Sequence, residues 1–339
     1  MHNVITNLRY ATMQSKYVLS KSLTRRAPHR TSLPMQAPML TTIRPLLRPI
    51  PIIGFSATGL LLAATLSARS RPISTMPTTD WPVRQYTPRH SSWPYNPSDF
   101  TRQDSSPDTS FYSDARFVTH IDDAAIGSLR DYYDTVLPRK GRILDFCSSW
   151  VSHYPRAVED AAAAGELKVT GMGMNKAELD KNVVLNSGRL IVDLNAHPDI
   201  AAALRDAAAV GESEDAKLDA STNVVSTDYL TQPVAVLSSL REATKTGGTV
   251  HLAISNRCFP TKAISRWLRV GEEERLMMVG DFLHFAGWRQ IEIVELSNGK
   301  VDAGADGELE GGQNSLRGLM AYMGMGGRDP IWVVRAVKE

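Results

Sequence analysis

Between Asp145 and His153 the chain places an acid, small hydroxyl and thiol side chains, and an imidazole: Asp145, Cys147, Ser148, Ser149 and His153. A carboxylate followed by small residues at a strand end suits a nucleotide-type pocket at the carboxyl edge of a sheet. His153 and His284 are the candidate proton acceptors, because imidazole titrates near neutrality. Asn223, Ser226, Asp228 and Tyr229 make a second polar group, and Asn256, Arg257 and Cys258 a third. Arg257 could bind an acidic substrate group or Asp228. Asn256, in the same group, is a further candidate for the chemistry. Cys147 and Cys258 are too few for a disulfide framework, and they lack companions at ligand spacing, so no metal site is assigned.

These groups lie far apart in sequence and need a scaffold that gathers them. From Gly141 onward, short apolar runs alternate with helical periods. Strands are predicted at Arg142–Phe146, Leu167–Gly171, Leu190–Leu194, Ala220–Val225, Thr249–Ser255, Arg289–Leu296 and Ile331–Val337. Helices are predicted at Tyr154–Ala164, Lys176–Asn182, Pro198–Ala208, Pro233–Thr244, Thr261–Val270 and Glu272–Phe285. Before them, Asp122–Leu137 repeats apolar residues at spacings of three and four, which predicts an amphipathic helix ended by Pro138. The alternation implies an α/β fold, a doubly wound, seven-stranded, mostly parallel sheet with one antiparallel strand. In such a sheet the parallel strands end at one edge, so the polar groups converge there. The Gly-rich stretch 298–329 is read as a mobile loop.

Three regions are expected. Residues 1–79 form a leader with ten Lys/Arg and no acid, the composition of an organelle transit peptide; mitochondrial import is the preferred reading. Within it, 50–68 carries no charge, and it reads either as a membrane anchor or as an apolar part of the leader. A start at Met76 would remove all of this and leave a cytoplasmic protein. Residues 80–120 are an extended lead-in with scattered aromatics, of which Trp93–Tyr112 either wrap the core, cap a pocket mouth or form a mobile tail. Residues 121–339 form the main domain. Beyond residue 79 there are 28 basic against 36 acidic residues, a net of −8, which argues against a nucleic-acid-binding surface. A small-molecule substrate is the expected partner.

The ordered segments ILDFCSSW, VTGMGMNKAEL, IVDLN, DASTNVVSTDYLTQP and TKTGGTVHLAISN resemble the successive motifs of a class I S-adenosylmethionine-dependent methyltransferase of the type 11 kind, a Rossmann-like fold, over Arg139 to Val337. D-x-x-S-S-W-x-S-H, with SNRCFPTKA and VGDFLHFAG, resembles one branch of that family. The resemblance implies S-adenosyl-L-methionine as cofactor. Asp145 then stands at the acid position of the first loop, with Cys147, Ser148 and Ser149 where glycines and small residues are usual. Gly173 replaces the family's acid, and Asn175, two residues on, either holds the ribose or caps the next helix. Asp193 and Leu194 match the adenine-binding positions, and Asn223 completes the cofactor set.

Two functions follow as expectations. The first is methyl transfer from S-adenosylmethionine to an unidentified acceptor. The alternative is a non-catalytic binding protein that kept the sheet and lost the cofactor-loop glycines. A nicotinamide oxidoreductase is disfavoured: Gly171-x-Gly173 follows the second predicted strand, and Lys176 stands at the third glycine position.

Overall fold

The computed structural model describes residues 76–299 and 328–339. The leader, its apolar stretch 50–68, and residues 300–327 of the Gly-rich loop lie outside the described residues. Among the described residues no helix is long and apolar enough to cross a membrane.

The strands are β1 (Val83–Gln85), β2 (Gly141–Phe146), β3 (Leu167–Gly173), β4 (Gly188–Ile191), β5 (Leu218–Val224), β6 (Thr244–Ser255), β7 (Arg289–Ser297) and β8 (Ile331–Val337). They make one sheet in the order β1-β7-β8-β6-β5-β2-β3-β4. The run β6-β5-β2-β3-β4 is parallel. Strand β8 runs antiparallel to both β6 and β7, and β1 antiparallel to β7. The doubly wound α/β class is therefore as the sequence predicts, with eight strands among the described residues, two of them reversed. The added strand, β1, was missed because it is three residues long, exposed on all three, and preceded by Pro82. It pairs only with an edge, where a short polar strand is tolerated.

The helices are α1 (Asp108–Phe111), α2 (Asp123–Val136), α3 (Arg156–Ala163), α4 (Lys176–Lys181), α5 (Ile200–Asp206), α6 (Pro233–Ala243), α7 (Ser265–Arg269) and α8 (Glu272–Phe285). The apolar spacing read from the sequence is the buried face of α2: Ala125, Ile126, Leu129, Tyr132, Tyr133 and Val136. Its N-terminus is capped by Asp122, whose carboxylate accepts the Ala125 amide at 2.8 Å. Helix α7 is half its predicted length; residues 261–264 form a turn instead, where the Ile264 amide donates to the Asp228 carbonyl.

Strand alternation sends successive side chains to opposite faces. In β8, Trp332, Val334 and Ala336 join one core, with α5, α6 and α8, while Ile331 and Val333 join the other, with α2 and α3. In β2, Leu144 and Phe146 enter the first core and Ile143 the second. By the same alternation Asp145 sits on the Ile143 side, a carboxylate at the end of a buried strand.

Candidate active site

Strand order turns back between β2 and β5. From β2 the chain winds outward through β3 and β4, then returns to β5 and winds the other way to β6. Loops leaving two neighbouring strands in opposite directions open a crevice at their carboxyl ends. A cavity of about 290 Å³ lies there. Its walls are the loops after β2, β3, β4, β5 and β6, closed on the outer side by lead-in residues between Asp108 and Ile121.

The loop after β2 takes a glycine-like backbone path without a glycine. Cys147 has φ of +53°, in the left-handed region that favours glycine. The next amide, of Ser148, donates to the Met172 carbonyl at 2.8 Å, so the loop lies tight against β3. That contact requires Gly173: a Cβ there would stand 2.2 Å from the Ser148 carbonyl oxygen. Gly173 thus makes room for the loop. Two more non-glycine residues in the cavity wall have positive φ, His153 at +54° and Val225 at +43°. Backbone strain of this kind persists only where the surroundings enforce it, and it concentrates at functional sites.

Asp145 lies at the cavity floor, 3% exposed. Its Oδ2 accepts the hydroxyls of Ser148 at 2.6 Å and Ser152 at 2.7 Å, and its Oδ1 that of Thr222 at 3.3 Å. Burial pushes the carboxyl up to about 6, against the opposing pull of those three hydroxyls. Burial likewise lifts the Cys147 thiol to about 12, so it stays protonated at neutral pH.

Asp193 and Leu194 follow β4 and line the cavity with Asp145, Cys147, Ser148 and Ser149. Strand β4 ends at Ile191, earlier than predicted, because the Asp193 Oδ1 turns the chain by accepting the amides of Asn195 at 2.9 Å and Ala196 at 3.3 Å. Asn175 also lines the cavity, yet its side chain is fully engaged. Oδ1 caps α4 through the Glu178 amide at 3.1 Å, and Nδ2 donates to the carbonyls of Tyr112 and Ser113 at 2.9 and 3.1 Å. Asn223 does not reach the cavity. It is wholly buried, donating to the Phe146 carbonyl at 3.1 Å and accepting from Thr227 Oγ1 at 3.0 Å, and so it ties β5 to β2.

The proposed acid–base and substrate residues separate. His153 lines the cavity, 7% exposed. Burial, reinforced by the charges of Arg130 and His120, lowers it to about 4, which keeps the imidazole neutral. His284 lies elsewhere: it is on α8, its ring against Tyr86 and Phe285. No residue of α8 lines the cavity, so His284 lies outside it whichever face of the helix it occupies. Asn256 is exposed at the end of β6 and is not part of the cavity wall. Arg257 reaches the wall but pairs with Asp329 at 2.7 Å, not with Asp228. Asp228 is buried instead, its Oδ2 without a hydrogen-bond partner, and burial raises its carboxyl to about 8.

Glu178 and Arg116 are among the wall residues that the sequence analysis does not single out. Glu178 accepts the Arg116 amide and the Ser149 hydroxyl, both at 2.7 Å, which joins lead-in, α4 and first loop. Its signal was visible: Asn175-x-x-Glu178 spells a capping box, and the carboxylate is diverted to the cavity wall. Arg116 gave no signal, since a lone arginine in a linker has no pattern. The Trp150 indole, which donates to the Val118 carbonyl at 3.0 Å, lies in the wall and leaves the cavity open.

No family model matches the sequence, and no curated protein matches it. Solved structures match the chain at low identity and partial overlap. An S-adenosylmethionine-dependent methyltransferase from Archaeoglobus fulgidus is 12% identical, with 63% of this chain and 92% of that one covered and a TM-score of 0.40. A methyltransferase from Geobacter sulfurreducens, in complex with S-adenosyl-L-homocysteine, is 14% identical over 69% of this chain and 98% of its own, with a TM-score of 0.37. Phosphoethanolamine N-methyltransferase 2 from Haemonchus contortus, with S-adenosyl-L-methionine, is 13% identical over 63% of this chain and 52% of that one, with a TM-score of 0.36. The fold assignment rests on the strand order and register, not on these partial overlaps.

Proposed function

We propose that the cavity binds S-adenosylmethionine and that the protein transfers its methyl group to a small-molecule acceptor. The observation that carries this reading is the meeting of Asp145, the Cys147–Ser149 loop and Asp193 in one crevice at the switch point of the sheet. The residues present suit the cofactor. Cys147 holds the left-handed backbone that a glycine would adopt, so the turn of the loop does not require one. Asp193 and the Leu194 amide would hold the adenine edge, and the loop after β2 the amino-acid arm. Bound there, S-adenosylmethionine would supply a methyl group on a sulfonium that is itself a good leaving group. The chain's own contribution is then alignment and exclusion of water. His153, neutral and buried, would take a proton from an acceptor that must lose one.

One observation favours a second reading, a binding protein without catalysis. Asn175 and Glu178, beside the position of the family's ribose acid, are both engaged by the lead-in. Calorimetry of the full chain with S-adenosylmethionine and S-adenosylhomocysteine separates the two. Methyl transfer predicts saturable one-site binding of both. No heat and no thermal shift at millimolar ligand would contradict the cofactor assignment and leave only the binding-protein reading.

A further inference from the structure

The charges around the cavity do not balance one to one, and the imbalance falls on Arg116. Every acid in the wall already has partners. Asp108 accepts both 2.8 Å bonds of Arg102 and a 2.8 Å bond from Asn195, and it pairs with Lys262 at 3.2 Å. Glu178 accepts a backbone amide and a hydroxyl, Asp145 three hydroxyls, and Asp193 the amides of its own turn. Arg257, the other arginine of the wall, has Asp329. The Arg116 side chain pairs with no carboxylate among the described residues. Among the described residues its one side-chain hydrogen bond runs from Nη2 to the Phe111 carbonyl at 2.9 Å, and Nη1 is buried with no hydrogen-bond partner.

The guanidinium is also held in place. It lies 4.6 Å from the Phe111 ring centroid, 5.7 Å from Phe259 and 5.9 Å from Tyr112. Aromatic faces stabilise a cation and restrict its rotamers, but they leave the in-plane N–H groups unsatisfied. A buried, unpaired N–H of a charged group costs free energy, and a planar fork is matched by a carboxylate or phosphate. We propose that Arg116 is an anion-recognising residue of this cavity, taking a carboxylate or phosphate group of the bound ligand. The inference rests on the cofactor reading above and adds to it the chemistry of one ligand end. That anion has two sources: the amino-acid arm of S-adenosylmethionine, or an acidic group on the methyl acceptor.

The test uses the full chain and the variants Arg116→Met, which keeps the stem over the rings and removes the fork, and Arg116→Lys, which keeps the charge. Calorimetry is run with S-adenosylhomocysteine and with 5′-methylthioadenosine, which lacks the amino-acid arm. Inorganic phosphate is titrated by thermal shift with S-adenosylhomocysteine present. If the cofactor arm is the source, R116M loses at least ten-fold in affinity for S-adenosylhomocysteine, R116K loses less, and binding of the nucleoside is unchanged. If the acceptor is the source, both adenosine ligands bind R116M as before, and the phosphate-dependent shift seen in the unaltered chain disappears. The inference is overturned if R116M leaves both readouts unchanged, or if it weakens the nucleoside as much as S-adenosylhomocysteine, which would mark a purely structural role. Failure of both adenosine ligands to bind the unaltered chain would instead overturn the cofactor reading on which the inference stands.

Discussion

Asp145 carries the clearest physical consequence of a single side chain. Its carboxyl is held near 6 in the folded chain, against about 3.8 for the ordinary group. A raised pKa means that the folded state holds the proton more tightly than the unfolded chain. The stability this contributes is complete below about pH 4 and is lost as the pH rises through 6. Asp145→Asn cannot titrate, so its stability relative to the unaltered chain should improve by on the order of 3 kcal/mol between pH 4 and pH 7. Urea unfolding at both pH values measures it, and a difference that stays constant with pH would contradict the burial account. The residue types at this loop were legible in the sequence. What was not legible is that Cys147 adopts a glycine conformation, because residue identity alone argues against positive φ and only the tight packing against Gly173 enforces it.

Elements were legible where their periodicity was long, as in α2 and α8, and stayed open between alternatives where contacts rather than pattern decide. The lead-in is the clearest case. Asp281, wholly buried on α8, accepts the hydroxyls of Tyr86 and Tyr95 and pairs with Arg89 at 2.7 Å. Trp93 and Phe100 pack on Phe282 nearby. Farther along, Lys262, also wholly buried, donates to the Ser106 carbonyl at 2.7 Å and pairs with Asp104 and Asp108. Each of these contacts spans well over a hundred residues of sequence, beyond the reach of any local pattern. The last part, Tyr112 to Val118, is held by Asn175, Glu178 and Trp150 across the cavity. Asn175→Ala should therefore cost about 1 kcal/mol for the lost helix cap. It should also speed amide exchange at Arg116 while leaving exchange at Tyr86, which is bonded to the Ile291 carbonyl, unchanged. Equal acceleration at both sites would mean that the lead-in loosens as one unit.

Across the whole molecule, strand order decides where chemistry can occur. Alternating strands and helices sufficed to predict a doubly wound sheet, and with it the edge at which the geometry of such folds places a ligand. That geometry brought Asp145, Asn175, Asp193 and His153 to one cavity and left His284, Asn256 and Asn223 outside it. Position along a predicted strand could not separate these two groups, because each depends on where a strand ends to within two residues or on which helices border the crevice. A co-crystal structure with S-adenosylhomocysteine tests the central claim most directly. The account predicts the adenine beside Asp193 and Leu194, with the sulfur end toward the Cys147–Ser149 loop and His153. Ligand bound away from the β2–β5 crevice, or a crevice that stays empty at saturating ligand, would contradict it.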